Sequence, residues 1–376
     1  MSSSQFNRQI KVTVVGAGII GSAISYILAK RGASVTVLDR STPGSGATSH
    51  SFAWINATAK LPVSYHNLNL RSLLMWDRFA NSLGKDVGLR WGGQLEWADT
   101  EVGASELISR ATQLHSWGYP CQIIDGDQIS RLEPSISAGR VTAAIYCELD
   151  GMVEPTMVAQ ACITAAAQHG ATVMLETEVT GLTSKYNSTT VVANGKTIES
   201  DFIVLAGGVD STQLAAMAEI SIPQQESPGV VIRTSPIYQQ LLSNVSVVYA
   251  PPLEPGRPEI HLRQSLDGAA IIGEGNQESL AKNDTQAHAN ELLARATEYV
   301  PALKFASAIP VPVGYRPMPI DGFPVIGAPS KTPNIYLALT HSGVTLAPLI
   351  AQMVAIEIMD GTQVEFLNAY RPGRFE

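Results

Sequence analysis

Residues Ile10–Arg40 read IKVTVVGAGIIGSAISYILAKRGASVTVLDR, and the fold is decided here. Ile10–Val15 is a short β-branched run that predicts a buried parallel strand. Ile20, Ile24, Ile27 and Leu28 recur at helical spacing, so a helix follows, and Gly32 suits the position that ends it. Ser34–Leu38 reads as a second strand closed by Asp39. Between strand and helix lies Gly16-x-Gly18-x-x-Gly21. Gly16 permits the tight turn, Gly18 lets backbone approach a pyrophosphate, and Gly21 lets helix pack close on strand. A helix N-terminus carries unpaired N–H groups and partial positive charge, which suits a diphosphate. Asp39, 18 residues after Gly21, is placed to accept hydrogen bonds from an adenosine ribose. Ile19, Ile20 and Arg40 belong to the same expected dinucleotide site. The motif alone does not separate FAD from NAD.

The chain has 376 residues, 45% apolar and 15% charged, which predicts two packed lobes with a sizeable core. A net charge of −8 disfavours nucleic acid and anionic membranes as partners. Cys121, Cys147 and Cys162 are odd in number and widely spaced, giving neither a disulfide framework nor a metal pattern. The expected setting is a reducing cytoplasm, with each cysteine a buried thiol. No signal peptide is read in MSSSQFNRQ. Val344–Met359 is apolar but short for a bilayer span and reads as a buried helix, with a membrane-surface role left open.

Beyond Arg40 a small-residue loop, STPGSGATSHSF, leads to a helix over 63–83. Strand character recurs at Cys121–Ile124, Ala143–Tyr146, Thr172–Glu178 and Thr189–Val192, with an Asn194-Gly195 hairpin turn. Pro155 opens a helix that runs to about His169. Phe202–Leu205 runs into Ala206-Gly207-Gly208, a second small-residue turn where backbone is expected to approach the cofactor. From Pro223 to Pro319 short β-type runs dominate, with helical Asn283–Tyr299 inserted, and prolines cluster at 251–258. A final buried strand, Ile335–Leu339, precedes Thr340-His341-Ser342-Gly343 and a long helix. The expected class is α/β: a discontinuous Rossmann-type domain (1–85, 150–220, 318–376) with a β-rich antiparallel substrate domain (86–149, 221–317).

Four segments carry a resemblance that covers essentially the whole chain. They are VVGAGIIG…VLD, the loop GSGATS, GYRPMPIDGFPVIG (Gly314–Gly327) and THSGVTLAP (Thr340–Pro348). Together they resemble the flavoenzyme family of D-amino-acid oxidase, glycine oxidase and monomeric sarcosine oxidase. The last two, in that order, select FAD over NAD. The resemblance implies that Ala47, Thr48, Ser49, His50, Val179, Gly207, Gly343, Val344 and Thr345 line an FAD site. Gly343 would bring backbone to the isoalloxazine, and the helix behind it would aim its positive end at the flavin N1–O2 edge. Arg316 matches the family arginine that pairs with a substrate carboxylate. His261 and Arg263, of equal parity on HLRQSLDGAAIIGEG, fall where glycine oxidase places pocket residues, and a second substrate acid would pair with Arg263. Tyr249 is a further candidate of this kind. His341 is expected over or beside the ring, with His341 and His261 the candidates for a catalytic role. Trp54 and Asn56 stand as unplaced pocket-shaping residues.

Two departures concern covalent attachment. Monomeric sarcosine oxidase anchors its flavin through a cysteine, and Val313–Arg316 offers none. His50 falls where dimethylglycine dehydrogenase carries a flavin-linked histidine, so a histidyl link stays open beside the expected non-covalent FAD. The reading is FAD-dependent C–N oxidation of a small amino acid or N-alkyl amino acid. Hydride transfer to flavin N5 would give an imine that hydrolyses, with dioxygen, a quinone or a carrier as acceptor. A larger or carrier-tethered substrate, or a non-catalytic flavin protein, remains the alternative; no metal is expected.

Overall fold

A computed structural model of the protein describes residues 9–185, 188–275 and 281–376. Its first sheet has the order Val325–Gly327, Ile335–Leu339, Phe202–Leu205, Lys11–Val15, Ser34–Leu38, Thr172–Met174. All neighbours run parallel except the edge strand Val325–Gly327. Parallel strands need both faces covered. The helix Ile19–Lys30 covers one face and is itself buried from Ile19 to Ala29. It packs between the helices Pro155–Gln168 and Gly343–Asp360. Its end is capped as the sequence predicts: Gly32 at φ +91° follows Arg31, and Ala33 N–H returns to Leu28 O at 3.0 Å. A smaller antiparallel sheet, Val179–Lys185, Ser188–Ala193 and Lys196–Ser200, turns at Asn194-Gly195 with both φ positive.

The second large sheet has eight strands. Their order is Ala308–Pro310, Val231–Thr234, Ala270–Glu274, Ile260–Gln264, Val247–Ala250, Gln94–Ala98, Ala143–Cys147, Gln122–Ile124. It is antiparallel apart from the pairing of Val247–Ala250 with Gln94–Ala98. Leu95, Val248, Leu262 and Ile272 share a core with Leu292 and Ala296 of the helix Gln286–Tyr299. A row crosses the sheet in register: Glu96, Tyr249, His261, Gly273, Val231. A Cβ on Gly273 would lie 2.3 Å from His261 Nε2, so this glycine makes room for the imidazole.

Three expected elements differ. The helix over 63–83 is two, Val63–Leu73 and Trp76–Ser82. The break lets Ser72 Oγ and Trp76 Nε1 both donate to Thr345 O, at 2.6 and 3.2 Å. The run 172–178 stops at Met174 and resumes as Val179–Lys185, with Glu176 at positive φ between. The helix expected from Asn283 starts at Gln286, where Thr285 Oγ1 accepts from His288 N–H. The helix Gly343–Asp360 is long and apolar enough to cross a membrane by length and composition, yet it lies mostly inside the protein. Cys121, Cys147 and Cys162 are all buried free thiols.

Candidate cofactor and substrate site

The four parallel strands Lys11–Val15, Ser34–Leu38, Phe202–Leu205 and Ile335–Leu339 end at the same edge of their sheet, where open α/β sheets bind ligands. The loops that leave them line a cavity of about 880 Å³ that reaches across to the eight-stranded sheet. At its dinucleotide end, Gly16 has φ +106°, and a Cβ there would sit 2.4 Å from Ala206 O. A Cβ on Gly21 would lie 2.0 Å from Gly16 O. Gly21 does not line the cavity; it sets the helix-to-strand distance, as expected. Thr48 Oγ1 accepts from Ile19 N–H at 3.1 Å and pins the loop over the helix start. Gly18, Ile19, Ile20, Asp39, Arg40, Ala47, Thr48, His50, Val179 and Gly207 face the cavity. Ser49 does not; its hydroxyl donates to Ser45 O and Gly46 O. Asp39 is more committed than the sequence suggests. Its oxygens accept from Ala17 N–H at 2.6 Å and Ser41 N–H at 2.8 Å. Each carboxylate oxygen keeps a further lone pair for a ribose hydroxyl. Arg40 pairs with Asp210 at 2.7 Å.

The flavin end is built by the start of the helix Gly343–Asp360. Ser342 precedes it in the left-handed region, φ +60°, with no side-chain cap, so the first N–H groups lack a capping partner. A Cβ on Gly343 would press Ile20 Cγ1 at 3.3 Å. Thr345 Oγ1 accepts from Asn56 N–H at 3.2 Å, tying this helix to the strand Trp54–Ile55. Two buried acceptors here, Asn56 Oδ1 and Thr58 Oγ1, have no hydrogen-bond partner among the described residues. A glycine cradle, an uncapped helix start and orphaned polar atoms in one long cavity fit a dinucleotide that ends in a flat ring.

On the substrate side, rings form a wall. Trp54 packs on Tyr249 at 5.2 Å, Tyr249 stacks on His261 at 4.9 Å and 22°, and Phe52 meets His261 edge-on at 4.6 Å. Burial, then the charge of Arg316, lowers His261 to a pKa of about 3. Burial, then Lys60 and Arg316, holds His341 well below the usual histidine range. Both imidazoles are therefore neutral, and neither is an anion clamp. Arg316 lines the cavity and follows the strand Gly314–Tyr315, which pairs with Pro228–Gly229. Its Nη1 donates to Pro228 O, and its guanidinium lies where a Gly229 Cβ would be, at 2.8 Å. Burial lowers the Arg316 pKa.

One expectation is corrected. Arg263 does not line the cavity. Its Nη1 pairs with Glu154 at 3.0 Å and its Nε donates to Phe52 O, so a substrate acid finds no cation there. His50 lines the cavity with Nδ1 held near Gly46 O and Ser49 Oγ, at 3.2 and 3.1 Å. No cluster of three or more His, Cys, Asp or Glu among the described residues is placed to hold a metal.

The model of the family of FAD-dependent oxidoreductases matches residues 11–356. The chain belongs to that family. Among curated relatives, glycine oxidase of Geobacillus kaustophilus is 28% identical, over 92% of this chain and 91% of the relative. An opine oxidase component from Agrobacterium tumefaciens is 27% identical, over 98% of both chains. The crystal structure of glycine oxidase from Geobacillus kaustophilus superposes with a TM-score of 0.85 at 25% identity, covering 97% of this chain and 99% of that one. That of L-proline dehydrogenase from P. horikoshii gives 0.83 at 25%, covering 98% of each. The chain is thus an FAD-dependent oxidoreductase with the glycine oxidase fold.

This FAD-dependent oxidoreductase has a polar cluster that sequence reading missed. Lys60 Nζ and Tyr65 OH both donate to Ser342 Oγ, at 3.0 and 3.1 Å, and His341 Nδ1 lies 3.0 Å from the same hydroxyl. Behind it Asp150 is fully buried, with Tyr119 and Trp54 as donors, and burial raises its pKa to about 8. The signal in the sequence was faint: a single lysine in INATAKLP, among small and apolar residues.

The depressed His261 pKa has a consequence for stability. Between its folded value, about 3, and its ordinary value near 6.5, the unfolded chain binds the proton that the folded one refuses. Stability is therefore retained above about pH 6.5 and lost as pH falls toward 3, with a slope of up to about 1.4 kcal/mol per pH unit. We expect His261→Gln to flatten urea-unfolding free energies measured between pH 7.5 and 5. An unchanged slope would show that His261 titrates as an ordinary histidine.

Proposed function

We propose that this protein oxidises the C–N bond of a small amino acid or N-alkyl amino acid, with Arg316 holding the substrate carboxylate. One observation carries the reading: Arg316 and the Trp54–Tyr249–His261 wall share a cavity with the Gly343 helix start. Glycines and Asp39 would hold the adenosine and diphosphate, and the first turn of Gly343–Asp360, with Val344 and Thr345, the flavin. When bound, FAD supplies the two-electron acceptor for a hydride from the substrate Cα. The protein's part is placement and charge. Arg316 offers a fork that fits a carboxylate in two-point contact. With the carboxylate fixed and the rings limiting rotation, Cα is held in one orientation. The hydride departs from a substrate whose amine is neutral, giving an iminium that loses a proton to become the imine, and the cations Arg316 and Lys60 disfavour an ammonium beside them. Neutral His261 and His341 add shape and hydrogen bonding without adding charge. The imine product is released to hydrolysis, giving a keto acid or aldehyde.

We infer that the lobes divide as 1–85, 150–220 and 318–376 against 86–149 and 221–317. In support, all eight strands of the large antiparallel-rich sheet come from the second set. The buried free thiols support a cytoplasmic setting. We take FAD to be non-covalent, supported by the lack of a cysteine at Val313–Arg316. Acid precipitation should leave all flavin in the supernatant; yellow pellet would show a histidyl link. The activity is tested by anaerobic bleaching of the holoprotein against a panel of amino acids and N-methyl amino acids, followed by air. Bleaching by a panel member is expected. Fast recolouring with peroxide identifies dioxygen as acceptor, and slow recolouring a quinone or carrier. A yellow protein that no member bleaches would contradict the small-substrate reading and favour a larger or tethered amine.

A further inference from the structure

Cys121 and Cys147 meet at one edge of the eight-stranded sheet. Gln122 pairs with Tyr146 across two antiparallel strands, so the next position on each sets Cys121 opposite Cys147. Residues directly opposite in an antiparallel pair share a face. The two Sγ atoms lie 3.1 Å apart, and both side chains are buried. The third cysteine, Cys162, is buried on the helix Pro155–Gln168.

We propose that Cys121 and Cys147 are a reversible disulfide-forming pair, oxidised by hydrogen peroxide, and that the oxidised form alters the substrate wall through Asp150.

Two thiols that served only as apolar filling would need no charge beside them. Here Arg110, on the helix Glu101–Ser116, pairs with Glu96 and lines the cavity. Its charge also acts on both sulfurs. The two thiols are unequal. The hydrogen bond from the Cys147 S–H, together with Arg110, lowers the Cys121 pKa against the effect of burial. The same bond, then burial, raises Cys147. Cys121 is therefore the thiolate of the pair, and Cys147 keeps its proton. Burial alone raises Cys162, which makes it the unreactive thiol.

The chemistry balances with one peroxide. The Cys121 thiolate attacks a peroxide oxygen, an S–O bond forms, and the O–O bond breaks. Hydroxide leaves and takes the proton that Cys121 gave up. Cys147 Sγ then attacks Cys121 Sγ. The S–S bond forms, the S–O bond breaks, and the Cys147 proton goes to the departing hydroxide. Two thiols and one peroxide become one disulfide and two waters.

The segments that would be joined are already tied to the cavity wall. Tyr119 OH donates to Asp150, and Asp150 N–H donates to Cys147 O at 3.3 Å. Asp150 also accepts from Trp54 Nε1 at 2.8 Å, and Trp54 packs on Tyr249. Closing the S–S bond draws the two segments together, and the shift reaches Trp54 through Asp150. This coupling rests on the reading of that wall as the substrate site; the disulfide does not. In a reducing cytoplasm such bonds are transient and redox-sensing, which fits a pair that is reduced at rest.

The test treats reduced holoprotein with a few equivalents of hydrogen peroxide. It is then denatured, alkylated and mapped by mass spectrometry. A linked Cys121–Cys147 peptide is expected, with Cys162 alkylated as a free thiol and dithiothreitol reversing the link. Cys121→Ser and Cys147→Ser should abolish the link, and Cys162→Ser should keep it. In oxidised wild type, KM for the best panel amino acid should rise severalfold with flavin content unchanged. Peroxide should leave KM unchanged in Cys121→Ser. Free Cys121 and Cys147 after peroxide, a Cys121 sulfinate without a link, or Cys162 oxidised as fast as Cys121 would overturn the disulfide. A link that leaves KM unchanged would overturn the coupling to the wall. The mapping of wild type needs neither turnover nor a folded variant, so failure here is distinct from failure of the C–N oxidation reading.

Discussion

Arg316→Met should lower kcat/KM for every carboxylate-bearing substrate by about 10²–10³-fold while the protein remains yellow. Truncating one partner of a buried, hydrogen-bonded charge pair costs about 2–5 kcal/mol, much of it from the partner left behind. Here the partner would be a substrate carboxylate taken from water into a cavity walled by Trp54 and Tyr249. The colour should persist because Arg316 sits against Pro228 and Gly229, away from the Gly16–Gly21 cradle. Arg316→Lys should recover only part of the loss, since an ammonium cannot reproduce the two-point fork. Steady-state kinetics with flavin content measured on the same samples would check this. A variant with wild-type kcat/KM on carboxylate substrates would show that the acid is held elsewhere.

Gly21→Ala should yield a colourless or poorly folded protein. The added Cβ would lie 2.0 Å from Gly16 O and 3.1 Å from Ala206 Cβ. Those neighbours are backbone and a core methyl, so relief requires moving the helix Ile19–Lys30 away from the sheet. That helix is buried over almost its whole length between two others. Overpacking of this kind costs about 1–3 kcal/mol or more, and the shift also displaces the N–H groups that would face the diphosphate. Gly373→Ala is the control: nothing lies within 4 Å of its added Cβ, and its φ is not in the strained region. The ratio of flavin to protein absorbance after purification reads both. Full flavin content in Gly21→Ala would contradict the close packing described here.

What could be read from the sequence follows the reach of the interactions. Gly16 and Gly32 set positive-φ turns and Gly21 clears Gly16 O five residues back, so their local spacing carries the meaning, although Gly16 and Gly21 also clear the distant Ala206, and the turn, helix and cap are found where expected. Arg316 and Gly343 were legible through segments shared with known flavoenzymes, and both line the cavity. Arg263 misled because its partner, Glu154, is 109 residues away in the chain. Parity put Arg263 on the same side of its strand as His261, but parity says nothing about which neighbour waits at that end. Lys60 was invisible for the same reason. It acquires its place through Ser342, 282 residues distant, and only the fold brings them together. The break between Leu73 and Trp76 belongs here too, because the carbonyl that favours it lies on Thr345.

The central claim is that cofactor and substrate meet in one cavity so that the Cα–H bond is broken by hydride transfer. The most direct measurement is stopped-flow anaerobic bleaching of the holoprotein by the best amino acid, with protium or deuterium at Cα. Deuterium should slow bleaching severalfold, and the matching amine without its carboxylate should bleach far more slowly. Bleaching insensitive to deuterium at saturating substrate, or equally fast with the decarboxylated amine, would contradict that claim.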